Sequence, residues 1–302
     1  MDWGYGAIAD THADENVSAD FAKPVIRVVQ IFANPHAGTF SRAMLDQQIH
    51  RLKVQNIQVI VSMEAPFRLA ETGVSEIIII GGDGTIRDAL ECVVAKGADL
   101  PITIIPAGTV NLLHRELSGS APTEKPHKEH YLADMNGRMM MICASGGPDS
   151  HIVQNVSATL KKWIGRGAYG IAALKQLLFW QHDDFILSFD NQKIACSAFY
   201  IAKGKYYAGP WSFAPNADAR QPLFYGVAVP DAGRWAYLKF ATALLLGRIE
   251  LQKGLVRFSC DSMTISSQAS APVQVDGDCI GHCPVELSIN PKTIRLRSGT
   301  AG

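Results

Sequence analysis

Two textures of apolar and polar positions divide this chain. Between Val25 and Leu117, short apolar runs alternate with stretches of helical spacing. Val25–Phe32, Ile57–Ser62, Ile77–Ile80 and Ile102–Ile105 read as strands. Ser41–Val54 carries Met44, Leu45, Ile49 and Leu52 on one helical face, and 86–96 carries Ile86, Ala89, Leu90, Val93 and Val94. Val110, Leu113 and Leu117 begin a third helix, and Leu69–Gly73 reads as a short helix or turn. Strand and helix in alternation predict an α/β domain with a parallel sheet and flanking helices. Four consecutive isoleucines suit a strand buried on both faces.

From Met139 the texture changes: Met139–Cys143 is apolar, and Ala144–Asp149 reads as a turn. Short strands are expected at 185–189, 194–202, 223–229, 255–259, 262–266, 273–276 and 285–289, a largely antiparallel, β-rich domain. Helices are expected at Trp163–Trp180 and Trp235–Ile249. The second is apolar over most of its circumference, which predicts a buried helix. The alternative is a helix that walls an acyl-chain groove or touches a bilayer interface, with Arg234, Lys239 and Arg248 towards headgroups. Residues 118–130 read as a polar linker. The expected organisation is a flexible leader at 1–23, an α/β domain at 24–137 to which about 291–302 return, and a β-rich domain at 138–290.

Composition narrows the function classes. Lys+Arg and Asp+Glu are both 28 in 302 residues, so no global basic field recruits nucleic acid. No run of eighteen apolar residues exists, so no transmembrane segment is expected. The acidic leader lacks the basic and apolar regions of a signal peptide. Six cysteines without a C-x-x-C pair read as reduced thiols, and the chain reads as cytoplasmic.

The candidate chemistry sits where strands end. Gly81-Gly82-Asp83-Gly84-Thr85 follows the isoleucine strand and opens a helix, with Thr85 as its expected cap. Glycines there let a ligand approach the backbone, and the helix dipole favours phosphate. A carboxylate beside phosphates points to a metal or a proton transfer. Pro106-Ala107-Gly108-Thr109-Val110-Asn111 repeats the strand–turn–helix order, so both turns should border one crevice. Asp276-Gly277-Asp278, taken alone, reads as a hairpin turn. Asp149 is either a site residue or a helix cap.

Together these motifs resemble the diacylglycerol kinase catalytic family. Asn34-Pro35 with Gly38 is similar to its N-P-x-x-G turn, and Gly81–Thr85 matches its G-G-D-G-T. Pro106–Asn111 resembles P-x-G-T-x-N, Gly146-Gly147 with Asp149 resembles G-G-x-D, and Asp276-Gly277-Asp278 resembles D-G-E. The resemblance runs from about residue 25 to the C-terminus. It implies an ATP- and Mg²⁺-dependent kinase that phosphorylates a diacylglycerol-like lipid alcohol at the membrane surface. ATP would lie in a cleft between an α/β domain of the NAD kinase and phosphofructokinase kind and the β-rich domain. It implies nucleotide contacts from Asn34, Ser62, Gly81, Gly82, Asp83, Gly84, Thr85, Thr109 and Asn111. Asp278 would be the base, Asp276 its orienting partner, and Asp83 the organiser of metal and phosphate. A structural metal would sit at Asp218, Gln221 and Leu223, and the sequence leaves a homodimer open.

Three places depart from the family pattern. Asp278 stands for Glu, Val110 and Leu112 stand for Gly and Asp, and Gln221-Pro222-Leu223 stands in the metal loop. They keep alive the reading of a nucleotide- or lipid-binding protein with little catalysis, and the first turn, which resembles that of NAD kinases, keeps alive an NAD kinase-like small-molecule kinase.

Overall fold

The structure, a computed structural model, describes residues 27–63, 65–71, 73–119, 126–155, 183–207, 209–230 and 233–300. The expected leader and the expected Trp163–Trp180 helix lie outside them.

Strands β1 (Val28–Ala33), β2 (Gln58–Met63), β3 (Val74–Gly81) and β4 (Pro101–Pro106) pair in parallel in the order β2-β1-β3-β4. Helices α1 (Arg42–Val54) and α2 (Asp83–Ala95) make the crossovers, and α3 (Leu112–Gly119) follows β4. Ser41 caps α1, its hydroxyl accepting from the Met44 amide. The isoleucine strand is buried on both faces: Ile77 and Ile79 join one core, Ile78 and Ile80 another. Alternate residues of one strand thus anchor helices on both sides of the sheet. Of Leu69–Gly73, read as a short helix or turn, the described residues 69–71 and 73 are not helical, and 71 lies in a bend.

The remainder is β-rich. It comprises β5 (Lys128–Met135), β6 (Arg138–Met140), β7 (Cys143–Gly146), β8 (Phe185–Phe189), β9 (Gln192–Cys196), β10 (Ala198–Ala202), β11 (Phe224–Val229), β12 (Val256–Cys260), β13 (Ser262–Ser267), β14 (Pro272–Val275), β15 (Asp278–His282) and β16 (Val285–Ser298). Helix α4 (Pro148–Asn155) follows β7, and α5 (Arg234–Leu245) follows β11. One six-stranded antiparallel sheet runs β12-β11-β10-β7-β14-β15. The other sheet of this part continues the parallel one, because β16 belongs to both. Its first residues pair antiparallel with β13, and Arg295–Ser298 pair in parallel with β4.

Four expectations need correction. Residues 128–130, taken for linker, begin β5, a partner of β16. Ala144–Gly146, taken for a turn, are strand β7, buried between two neighbours. The 194–202 run is two strands, β9 and β10, in different sheets, and β15 has no counterpart among the expected strands.

Candidate active site

Three turns meet at the carboxyl ends of β1, β3 and β4. Gly82 and Gly108 stand back to back: a Cβ on Gly108 would lie 2.5 Å from the Gly82 Cα, and one on Gly82 would lie 3.0 Å from the Gly108 Cα. Both positions therefore need glycine for close approach of two backbones. The Ala107 amide donates to the Gly81 carbonyl at 2.9 Å, and the Thr39 amide donates to Ala107 at 2.8 Å. Asn34 Nδ2 donates to Thr85 Oγ1 at 3.1 Å, joining the first turn to the second. Asn111, at φ +53°, closes its own turn: its side chain accepts from the Gly108 amide and donates to the Gly108 carbonyl.

Thr85 does not cap α2. The helix starts at Asp83 with Gly82 at the N-cap, and no side chain caps it. Thr85 is buried in the first turn and bonded to Asn34. The amides at this helix start therefore face the crevice without a side-chain acceptor, the arrangement that suits a phosphate oxygen. Gly84 and Thr109 are exposed at its rim. Ser62 sits one strand further out, where its hydroxyl accepts from Gln30 Nε2 at 3.0 Å.

Asp83 spans the crevice rather than pointing freely into it. Its carboxylate accepts from the amides of Leu112 (3.0 Å) and Leu113 (3.2 Å), capping α3 from the neighbouring turn. Burial pushes its pKa up, and the backbone donors oppose that. Each carboxylate oxygen keeps acceptor capacity beyond one bond, so this donor set fits a role beside nucleotide-borne Mg²⁺. Among the described residues no cluster of three or more His, Cys, Asp or Glu side chains forms a cation site. Mg²⁺ bound through substrate phosphates requires one or two carboxylates, not a protein cage.

One helical turn beyond Asp83, Arg87 is buried on α2 and its guanidinium donates to the Asp278 carboxylate. Arg87 also lies within electrostatic reach of Asp83, Asp276 and Asp88. Its Nε and Nη1 are buried without a partner. Asp278 is about half exposed, at the start of β15. Asp276 (φ +49°) and Gly277 (φ +86°) form the β14–β15 hairpin turn, with Val275 opposite Asp278. The hairpin reading is thus borne out. The half-buried Asp276 carboxylate accepts from the amides of Met141, Ile142 and Cys143 at 2.7, 2.9 and 2.9 Å. Burial raises its pKa to about 6 against those donors.

A further polar chain leads away from the hairpin. Gln274 accepts from the Gly277 amide at 2.8 Å and donates to Ser145 Oγ at 2.5 Å. Ser145 donates to Asp149, which also accepts from the Tyr207 hydroxyl at 2.6 Å. Asp149 is half-buried in the first turn of α4, its Oδ1 is buried without a partner, and desolvation raises its pKa.

The loop expected to hold a structural metal contains an ammonium instead. Lys203, fully buried, points its Nζ at the carbonyls of Asp218 (3.5 Å), Ala219 (2.9 Å) and Gln221 (2.6 Å). The Asp218 carboxylate is held by Arg220 in a two-pronged ion pair. Burial lowers the Lys203 pKa to about 8, which leaves it mostly charged at neutral pH. Asp218, Gln221 and Leu223 therefore do not offer a divalent ion a free ligand set.

The sequence reading missed Arg87, Ser145, Lys203, Tyr207 and Gln274. Arg87 carried a signal: it follows Asp83 by four positions and lies beside the apolar face of α2. The other four are joined to their partners only by folding.

Comparison with known proteins agrees with this architecture. The diacylglycerol kinase catalytic domain family matches residues 29–144, and the YegS C-terminal NAD kinase beta sandwich-like domain matches 143–298. A Pseudomonas fluorescens protein named "Probable lipid kinase YegS-like" is 32% identical over 244 residues, 74% of this chain and 77% of its own. A Staphylococcus carnosus protein named "Diacylglycerol kinase" is 25% identical over 223 residues, 70% of this chain and 72% of its own. A crystal structure of a diacylglycerol kinase from Bacillus anthracis superposes with a TM-score of 0.69 at 18% identity, covering 91% of this chain and 98% of that one. With two matched domains spanning the α/β and β-rich parts, the chain belongs to the diacylglycerol kinase catalytic-domain family, alongside the YegS-like lipid kinases.

Proposed function

We propose that this lipid kinase family member transfers the γ-phosphoryl group of ATP to a hydroxyl of a diacylglycerol-like lipid alcohol. One observation carries the reading: an uncapped helix start among three converging turns is linked through Arg87 to a half-exposed carboxylate, Asp278. Phosphate would take the amides at Gly82–Thr85, with Asn34, Thr109 and Asn111 shaping the rim and Ser62 further out. Asp278, as a carboxylate, accepts the proton of the acceptor hydroxyl while that oxygen attacks the γ-phosphorus. The bond from the γ-phosphorus to the bridging oxygen breaks, and ADP leaves with that electron pair. Mg²⁺ carried by the nucleotide supplies charge compensation for the transferred group, and Asp83 is the carboxylate the turn provides beside it. Asp276 holds the hairpin that presents Asp278.

A nucleotide- or lipid-binding protein with little catalysis is the second reading. It is favoured by Leu112 in place of an acidic residue and by the engagement of Asp278 with Arg87. Incubation with radiolabelled ATP, Mg²⁺ and a panel of lipid alcohols in mixed micelles, with NAD offered in parallel, separates the two. A labelled lipid supports the kinase, ATP binding without any labelled product supports the binding protein, and labelled NAD phosphate would replace the lipid acceptor.

A further inference from the structure

Helix α5 is not the buried helix its composition suggests. Its inner face carries Tyr237, Phe240 and Leu244, of which Phe240 and Leu244 are in the core. Its outer face leaves Trp235 75%, Leu245 56% and Leu246 64% exposed, and the following turn leaves Leu251 77% exposed. Trp235, Leu238, Leu246 and Leu251 line one shallow apolar groove, with Lys239 and Lys253 at its edges. Between Gly233 and Arg257 the chain has five basic residues, Arg234, Lys239, Arg248, Lys253 and Arg257, and one acidic residue, Glu250. All six are exposed. The chain as a whole has zero net charge, so this is a local concentration of positive charge around apolar side chains.

We propose that α5 and the turn at Ile249–Leu251 form the surface by which the protein docks on a negatively charged lipid bilayer. Exposed Trp and Leu inside a basic rim match the boundary between acyl chains and anionic headgroups. Such a surface combines apolar burial with attraction worth about fivefold in affinity for each Lys or Arg near the membrane. A protein partner would need acidic groups around an apolar knob; the bilayer supplies both continuously.

The docking face is continuous with the candidate active site. Phe240 stacks on Tyr200 with ring centroids 4.4 Å apart, and Tyr200 meets Tyr207 edge-on at 5.9 Å. Tyr207 donates to Asp149, which reaches the Asp276–Asp278 hairpin through Ser145 and Gln274. One side of α5 therefore faces lipid while the other packs on the wall of the cleft. The inference deepens the lipid kinase reading by naming the surface that presents the acceptor, and it rests on that reading only for this last step.

The test is flotation of the full chain with phosphatidylcholine vesicles, with and without phosphatidylglycerol, in the absence of ATP and acceptor lipid. Two double variants, K239E/R248E and W235S/L246S, change only exposed positions, and Lys193→Glu on β9 is a charge-reversal control away from this face. Wild type and the control should bind anionic vesicles, and each double variant should lose at least about tenfold in affinity. Phosphorylation of a dispersed short-chain acceptor should be unchanged in the double variants. Variants that bind like wild type, or wild type indifferent to phosphatidylglycerol, would overturn the proposal. So would a wild-type dimer that the α5 variants dissociate, because a second copy would then cover the face. Vesicle binding through α5 by a protein that phosphorylates no acceptor would uphold the surface and sink the kinase reading.

Discussion

Arg87 and Asp278, 191 positions apart in the chain, meet as a guanidinium and a carboxylate between α2 and the start of β15. Arg87 is buried, and its carboxylate partner is about half exposed. The contact ties the first helix after the glycine turn to the hairpin of the β-rich part, and so fixes where Asp278 stands. Arg87→Met should lower kcat by about 10²-fold through misplacement of the carboxylate. Stability should change little, because a buried guanidinium with two unpartnered nitrogens is costly to keep. Steady-state kinetics and thermal melting of the same samples check both halves.

The pairing of Gly82 with Gly108 predicts a contrast among the glycines. Gly108→Ala forces its methyl to within 2.5 Å of the Gly82 Cα and 2.7 Å of Asn111 Oδ1. Separating the two turns should cost about 1–3 kcal/mol and weaken ATP binding. Gly84→Ala meets no atom within 4 Å. It should leave stability within about 0.5 kcal/mol of wild type. Chemical denaturation and ATP titration of the two variants test the contrast.

Lys203 acts as the internal cation of the 218–221 loop. Lys203→Met leaves three carbonyls without their donor and should destabilise the protein by about 3–5 kcal/mol. Because the ammonium already holds these oxygens, wild-type Tm without nucleotide should be the same in Mg²⁺ and in EDTA. Scanning calorimetry in the two buffers measures this directly.

Asp276 gives the stability profile a sign. Its pKa rises from 3.8 to about 6 on folding, so the folded protein holds this proton more tightly than the unfolded chain. Its contribution to stability is full below pH 4 and is lost as pH rises towards 6. The loss should be on the order of 1–3 kcal/mol. Asp276→Asn should flatten that segment of the curve, read by urea midpoints across pH 4 to 7.

Much of the fold was legible because its signals are local. The isoleucine run and the helical spacing on α1 and on α2 each lie within a dozen residues, and each specified the element that formed. The glycine turns were legible for the same reason. Sites assembled by distant segments were not. Lys203 meets carbonyls 15 to 18 positions away, and Arg87 meets Asp278 across both parts of the protein. Strand β15 lacks an apolar alternation strong enough to declare itself, and β7 reads as a turn because small residues pack between two neighbours. Helix α5 misled by composition: an apolar helix reads as core unless its exposure is known.

The central claim is that Asp278 accepts the proton of the acceptor hydroxyl. It is tested most directly by kcat of wild type, Asp278→Asn and Asp278→Glu on the best lipid found, with ATP binding measured in parallel. Asn keeps the size and the hairpin preference but removes the proton acceptor. The account predicts that Asp278→Asn lowers kcat by about 10² to 10⁴-fold with ATP affinity nearly unchanged. Asp278→Glu should retain activity. An Asn variant with wild-type kcat would contradict the account and leave Asp278 as the anchor of a hairpin.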